Sequence, residues 1–376
     1  MLSFVPNEAM VKALRTLQGH IAREAAVLDM VSAPAELKYI HHNAFISTIG
    51  ASTRIENAIL TDPEIEWVDT LLTQDAKTTA FDAQRSFIFD KLSKDKERSI
   101  EEVVGCREVL TTVYLQSKEL VPLSESTIRG LHHDLLRYYP NASQYAGGYK
   151  TAPNRVVSVN HETGETRTVL EPAAPGLETD MAMSELVSWY NQTYRDHPWP
   201  LLVTTEFVFR FLAIHPFQDG NGRLGRALFL MCLLQADDPH LASVMPYVSM
   251  DRHIEQHRAT YYTVLQQCSS GQFRTDPTQY QIDHLAWFFI KMLDTALLDI
   301  DVYRKKYQRY QDLPDSHLTV LETFKHSPEK RLQLADIEAS TSLNKRTIQR
   351  ALSALAEGGF IQARGKGPAR KYQLVF

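Results

Sequence analysis

Apolar residues recur at three- and four-residue spacing through most of the chain, which predicts a succession of amphipathic helices and few strands. Met10, Leu14, Leu17, Ile21, Ala25 and Leu28 form one stripe, so a first helix is expected there. Pro34 resets the chain, and a second helix is expected over 35–58 with Ile46, Ile49, Ile55 and Ile59 on its apolar face. Helices are also predicted at 64–72, 79–92, 100–116 and 124–139; in the last, Ile128, Leu131, Leu135 and Leu136 mark the buried side. Two β-branched segments, 155–159 and 166–170, flank a polar turn at 162–165, the strongest hairpin pattern present. Helices follow at 177–195, 204–214, 227–234, 249–267 and, as one long element, 279–311. Beyond Leu313-Pro314, three short helical patterns (316–324, 333–340, 344–357) precede strand-like pieces at 360–363 and 371–376.

The polar interruption between the two most apolar helices holds the densest chemistry. It reads Ile214-His215-Pro216-Phe217-Gln218-Asp219-Gly220-Asn221-Gly222-Arg223-Leu224-Gly225-Arg226. The incoming helix should stop at His215, because a residue before proline is pushed out of the helical region. A glycine-rich turn that opens a helix presents free N–H groups and a positive dipole end, an anion site. Arg223 and Arg226 lie three apart, so both guanidinium groups can serve one side of the first turns. Such planar forks suit phosphate oxygens. Asp219 at the mouth of the turn is a candidate Mg²⁺ ligand beside phosphates. His215 supplies a base whose unperturbed pKa lies near neutrality. Together these residues describe a phosphoryl- or nucleotidyl-transfer site.

Composition narrows the setting. The chain has 376 residues, enough for more than one domain, and a net charge of −5 with a pI near 6.3. Three cysteines, Cys106, Cys232 and Cys268, are far apart and lack metal-ligand spacing, which points to reduced thiols in a cytosol. No secretory pattern opens the chain and its apolar runs are short for a membrane span, so a soluble, cytoplasmic protein without membrane contact is expected. Charge is unevenly placed: residues 313–376 hold ten Lys/Arg against six Asp/Glu. The helix, helix-turn-helix and basic hairpin of this region look like a winged helix, with Leu318, Leu321, Phe324, Leu334, Ile337, Ile348, Leu352 and Leu355 as its core. Lys345, Arg346, Gln349 and Arg350 would project from its recognition helix, and Arg364, Lys366, Arg370 and Lys371 from its wing. Phosphate-directed DNA contact, through Lys345, Arg346, Arg350 and Lys366, is one use of such a surface; protein contact is the other.

The run from His215 to Arg226 resembles the Fic signature, His-Pro-Phe-x-(Asp/Glu)-Gly-Asn-Gly-Arg-x-x-Arg, and matches it at all nine specified positions. The resemblance implies a mainly α protein: a Fic-type helical core with a small β-hairpin flap, plus the C-terminal winged helix-turn-helix domain. The expected division is 1–95 for an N-terminal helical region, 96–312 for the core and 313–376 for the last domain. It implies transfer of AMP from ATP, with Mg²⁺, to a hydroxyl of a target protein, itself included. His215 would be the base and Asp219 the metal ligand. Gly220, Asn221, Gly222, Arg223, Leu224, Gly225 and Arg226 would bind ATP, the Asn221 side chain helping to stabilise developing charge. Gly222 stands where a kinase-like branch of the superfamily has lysine, which favours AMP transfer.

Other segments acquire meaning from the same resemblance. Ser52-Thr53-Arg54-Ile55-Glu56-Asn57 fits the inhibitory pattern (Ser/Thr)-x-x-x-Glu-(Gly/Asn), in which Glu56 would pair with Arg226 and occupy the fork meant for the ATP γ-phosphate. Ser52 belongs to the same inhibitory set. Val156, Val157, Ser158 and Val159 correspond to the flap edge that takes a target segment by strand addition. Lys150 stands where arginine is common. Tyr261-Tyr262, by themselves a core pair or a ligand pair, correspond to tyrosines lining an adenine pocket; Ser269 stands where some relatives place an asparagine. His132-His133 invites a metal reading, but no third ligand accompanies the pair, which favours packing or capping. Removal of AMP with Glu56 aligning a water, and a DNA-binding regulator whose core senses nucleotide, are the rival functions. Homodimers occur among relatives.

Overall fold

The computed structural model describes residues 1–73, 80–159, 166–195, 197–326, 328–365 and 370–375. Its helices run α1 (Glu8–Asp29), α2 (Pro34–Ile55), α3 (Asp62–Leu72), α4 (Phe81–Lys91), α5 (Glu97–Gln116) and α6 (Glu125–Leu136), followed by strands β1 (Val156–Val159) and β2 (Thr166–Leu170). Then come α7 (Leu177–Thr193), α8 (Pro200–Ile214), α9 (Asn221–Leu234), α10 (Pro239–Val244), α11 (Met250–Gln256), α12 (Arg258–Ser269), α13 (Asp283–Leu297) and α14 (Asp299–Gln311). Helices α15 (Asp315–Lys325), α16 (Leu334–Ser340) and α17 (Lys345–Glu357) and strands β3 (Ile361–Arg364) and β4 (Lys371–Leu374) complete the order. Each sheet is a single antiparallel pair, β1 with β2 and β3 with β4. Among the described residues no helix is long and apolar enough to cross a membrane.

The chain folds as two compact units, Met1–Ala58 with Glu101–Ile300 and Ile59–Ile100 with Asp301–Phe376. This spatial grouping and the three consecutive sequence blocks differ in where they place 59–100 and 301–312. In the first unit α8 and α9 pack on each other at the centre, buried on almost every side. The α1 stripe from Met10 to Leu28 is buried as expected, in a helix packed on α10 and α13. Ser124 caps α6 by accepting the Thr127 N–H at 3.0 Å.

Several expected elements end elsewhere. Helix α2 stops at Ile55, with Glu56 as its cap and Asn57 in the left-handed region at φ 74°; Ile59 is therefore outside the helix and 48% exposed. The 249–267 pattern is broken at His257 into α11 and α12, and the 279–311 pattern at Leu298 into α13 and α14. Leu298 donates to Thr295, an i→i−3 bond that tightens the last turn of α13 and ends it.

In the second unit, Val320, Leu321, Phe324, Ile337, Ile348, Leu352 and Leu355 share one core with Leu332, Phe360 and Ile361. Val320 is fully buried while Leu318 and Leu334, both expected in that core, are only partly buried. Lys96 joins the two segments of this unit, reaching Glu64 and Glu329 at 2.7 Å each.

Candidate active site

Helix α8 ends on His215, whose backbone is left-handed (φ 51°, ψ 59°) and whose N–H still bonds the Phe211 carbonyl at 2.9 Å. The following proline cannot continue the ladder. His215 Nδ1 lies 3.3 Å from the Leu212 carbonyl, an oxygen that only accepts, so Nδ1 donates and Nε2 keeps the lone pair. Burial, reinforced by the Lys150 ammonium, pushes the imidazole pKa down to about 4. The ring is neutral at pH 7, the form a base requires.

The turn after His215 is held by backbone contacts. Asn221 accepts the Phe217 N–H at 2.9 Å and donates to the Phe217 carbonyl at 2.7 Å. Its amide thus closes the turn. Gly220 caps α9 at φ 80°, and an added Cβ there would lie 3.1 Å from Leu135 and 3.4 Å from His132. At Gly222 a Cβ would overlap the Glu56 carboxylate, so the close approach of α2's end to α9's start requires glycine. The first N–H groups of α9 have no intrahelical acceptor and sit at the positive end of the helix dipole.

The two arginines face different partners. Arg226 donates from Nε to Ser52 Oγ at 2.9 Å, and from Nη2 to the Ser52 carbonyl at 2.6 Å and Glu56 Oε1 at 3.0 Å. Asp251 Oδ2 stands 3.7 Å from Nε. Burial opposes the Arg226 charge, but Glu56 and Asp251 outweigh it and raise the pKa further. Arg223 is buried beside Asp219 at 3.4 Å and Glu102 at 3.8 Å. Its Nε and Nη1 have no hydrogen-bond acceptor, and buried donors in that state ask for one. A phosphate oxygen would meet that need.

These groups line one cavity of about 570 Å³. His215, Asp219, Gly220, Asn221, Gly222, Arg223, Arg226, Glu56, Tyr261, Tyr262, Val156 and Val157 are all on its wall. Leu224 and Gly225 are not: Leu224 is wholly buried, and a Cβ at Gly225 would lie 3.1 Å from Leu212 of α8. Ser52 is buried too and reaches the site only through Arg226. Ser269 lines the cavity, with its hydroxyl donating to the Leu265 carbonyl at 3.2 Å and accepting the Gly271 N–H at 3.0 Å. Ser158 and Val159 continue β1 opposite Arg167 and Thr166, with a bulge between Val156 and Val157. The turn at 160–165 lies outside the described residues.

Asp219 is 41% exposed, with Oδ1 accepting the Gly220 N–H at 2.6 Å. Among the described residues no group of three or more His, Cys, Asp or Glu could hold a metal ion. One exposed carboxylate beside an anion nest does fit Mg²⁺ held jointly with phosphates, because that ion keeps waters and takes one or two carboxylates.

A family model described as Fic/DOC family matches residues 122–233, the stretch that contains the whole turn. That stretch is thus similar to the Fic/DOC family. A stretch of 124 residues is 31% identical to the protein adenylyltransferase Fic of Aedes aegypti, covering 31% of this chain and 22% of that protein. The chain thus spans about a fifth of the length of the curated relatives it matches. A Fic family protein from Desulfovibrio desulfuricans G20 is similar in structure over 100% of this chain and 98% of its own, at TM-score 0.58 and 20% identity. Fic-1 (aa134–508) of C. elegans is similar over 80% of this chain and 74% of its own, at TM-score 0.55 and 16% identity. These structures share the mainly helical fold.

Besides Lys150, which the sequence reading noted, several residues it passed over shape the site. Lys150 donates from Nζ to the Ile214 carbonyl at 2.9 Å, and burial pulls its pKa down to about 8. Asn154 donates to the Phe217 carbonyl at 2.8 Å, so the segment leading into β1 is tied to the Fic turn. Asp251 and Glu102 each stand behind one arginine. No local pattern announces them, since each acts across a long sequence separation. His132 is buried with Nε2 2.9 Å from the Asp219 carbonyl; His133 pairs with Asp134 at 3.4 Å. In the second unit Lys345, Arg346 and Arg350 are exposed on α17, while Lys366 lies outside the described residues.

Proposed function

We propose that the chain is a protein adenylyltransferase, moving AMP from ATP to a Ser, Thr or Tyr hydroxyl of a target protein, and that Glu56 restrains it. The observation that carries this reading is the single cavity shared by His215, Asp219, the start of α9, Arg223, Arg226 and the flap residues Val156 and Val157. The naming of the insect relatives as protein adenylyltransferases supports it.

In this reading His215 Nε2 takes the proton of the acceptor hydroxyl, and that oxygen attacks the α-phosphorus of ATP. The bond from the α-phosphorus to the bridging oxygen breaks, and pyrophosphate leaves. The N–H groups opening α9 receive the charge that develops. Arg223 and Arg226 hold the β- and γ-phosphates, which sets the α-phosphorus nearest the base. Asp219 would hold Mg²⁺, which supplies charge neutralisation on the phosphates when bound. With Glu56 on Arg226 the fork is taken, so ATP sits in a pose unsuited to transfer. The target segment adds to the β1 edge, and target and chain itself are both acceptors in this reading. ATP labelled on the α-phosphate should leave label on protein, whereas ATP labelled on the γ-phosphate should leave none. Label retained from the γ position alone would replace this reading with phosphoryl transfer.

Removal of AMP is a second reading, favoured by one observation: the Glu56 carboxylate stands in the cavity wall, where it could align a water. Release of AMP from a pre-modified target by wild type, but not by E56G, would establish it. For the C-terminal domain we propose a winged helix whose exposed Lys345, Arg346 and Arg350, with Lys366, contact DNA phosphates.

A further inference from the structure

His132 is a fully buried imidazole that the proposed reaction does not use. Its ring stacks on Phe217 at 3.7 Å between centroids and 9° between planes. Nδ1 accepts the Gly147 N–H at 2.9 Å, a group that only donates, so the ring proton is on Nε2. That proton goes to the Asp219 carbonyl at 2.9 Å. In a trans peptide the C=O and N–H point in opposite directions. While the Asp219 carbonyl is turned inward to His132, the Gly220 N–H is turned the other way, toward Asp219 Oδ1 at 2.6 Å.

Gly220 has φ 80°, and glycine enters positive φ as readily as negative. The peptide before it therefore has little intrinsic resistance to turning over. Turned over, it would place the negative carbonyl end where the turn should receive phosphates and leave the buried Nε2–H without an acceptor. We propose that His132 is a positioning residue that locks the Asp219–Gly220 peptide in its phosphate-accepting orientation. This rests on the nucleotide-site reading above. His132 does not touch substrate. It acts through the backbone of Asp219 and through Gly220, whose lack of a side chain lets the ring approach.

The test compares H132Q, H132M and H132N, all built on E56G so that Arg226 is unoccupied by Glu56. Gln is close to Met in length and volume but can still offer an N–H toward the Asp219 carbonyl. Asn can still accept from Gly147 but is too short to reach Asp219, and it carries the comparison should H132M not fold. Binding of ATP with Mg²⁺ and of adenosine is measured by calorimetry. H132M and H132N should weaken ATP roughly tenfold or more while leaving adenosine unchanged, as loss of a group that orients a binding element does. H132Q should stay close to its parent. Equal loss of ATP and adenosine would reduce His132 to packing, and ATP affinity unchanged in H132M and H132N would overturn the lock. H132Q as weak as H132M would overturn it as well. If E56G binds ATP yet transfers no AMP, the adenylyltransferase reading fails while this comparison still gives its answer.

Discussion

The proposed restraint by Glu56 acts on Arg226. Its guanidinium is buried, and a buried cation needs a partner. Ser52 fixes the Nε edge, and Glu56 takes part of the edge that a γ-phosphate would use. A hydrogen bond to a charged group is worth about 1.5–3 kcal/mol. Glu56→Gly should accordingly raise AMP transfer roughly tenfold or more, read as label on protein. His215→Ala should lower it by about 10²–10⁴-fold, the usual share of a general base, with ATP binding intact. The His215 pKa of about 4 also sets the pH profile, because the neutral ring is the base. Transfer should be flat from neutrality down to about pH 5 and fall as pH drops through about 4. The same shift has a stability sign. The unfolded chain binds the proton near pH 6.5 and the folded chain only near 4, so stability declines as pH falls between those values. A melting temperature that rises across that interval on acidification would contradict the buried neutral ring. At this scale the sequence revealed His215, Asp219, Gly222 and Arg226 because they share one local turn. Asp251 and Asn154 stayed hidden because their contacts to that turn span many residues, and His132 was read only as a packing or capping residue because its bond to Asp219 does too.

Helices were legible wherever an apolar stripe met a cap or a proline. Pro34 opens α2 and Ser124 starts α6, each where the pattern expects a boundary, whereas α8 opens at Pro200, four residues before its expected start. The breaks at His257 and Leu298 were not legible, since neither glycine nor proline marks them and the apolar spacing runs through. The hairpin was found from its β-branched segments, and the structure adds the bulge and the anchor through Lys150 and Asn154. Val157 is 48% exposed on β1, whose one strand partner among the described residues is β2. If a target segment adds there, Val157→Pro, which removes a strand donor, should lower labelling of target while ATP binding stays the same. Unchanged labelling would place target recognition elsewhere.

The grouping of 59–100 with the C-terminal region is a property of the whole molecule. Apolar spacing says that a helix has a buried face but not what that face meets. The Lys96 bridge between Glu64 and Glu329 joins residues more than two hundred positions apart. Within that unit α17 presents exposed Lys345, Arg346 and Arg350, while its Ile348 and Leu352 are buried. If this face meets DNA, affinity for a duplex should fall as salt rises, with a log–log slope near −0.9 per phosphate neutralised. Arg350→Ala should make that slope shallower, measured by fluorescence anisotropy. The central claim is tested most directly by incubating α-phosphate-labelled ATP and Mg²⁺ with cell lysate and the wild type, E56G or E56G/H215A. Label on protein should rise from wild type to E56G and vanish in the double variant. Folded E56G that binds ATP but leaves no label, or label that persists without His215, would contradict the account.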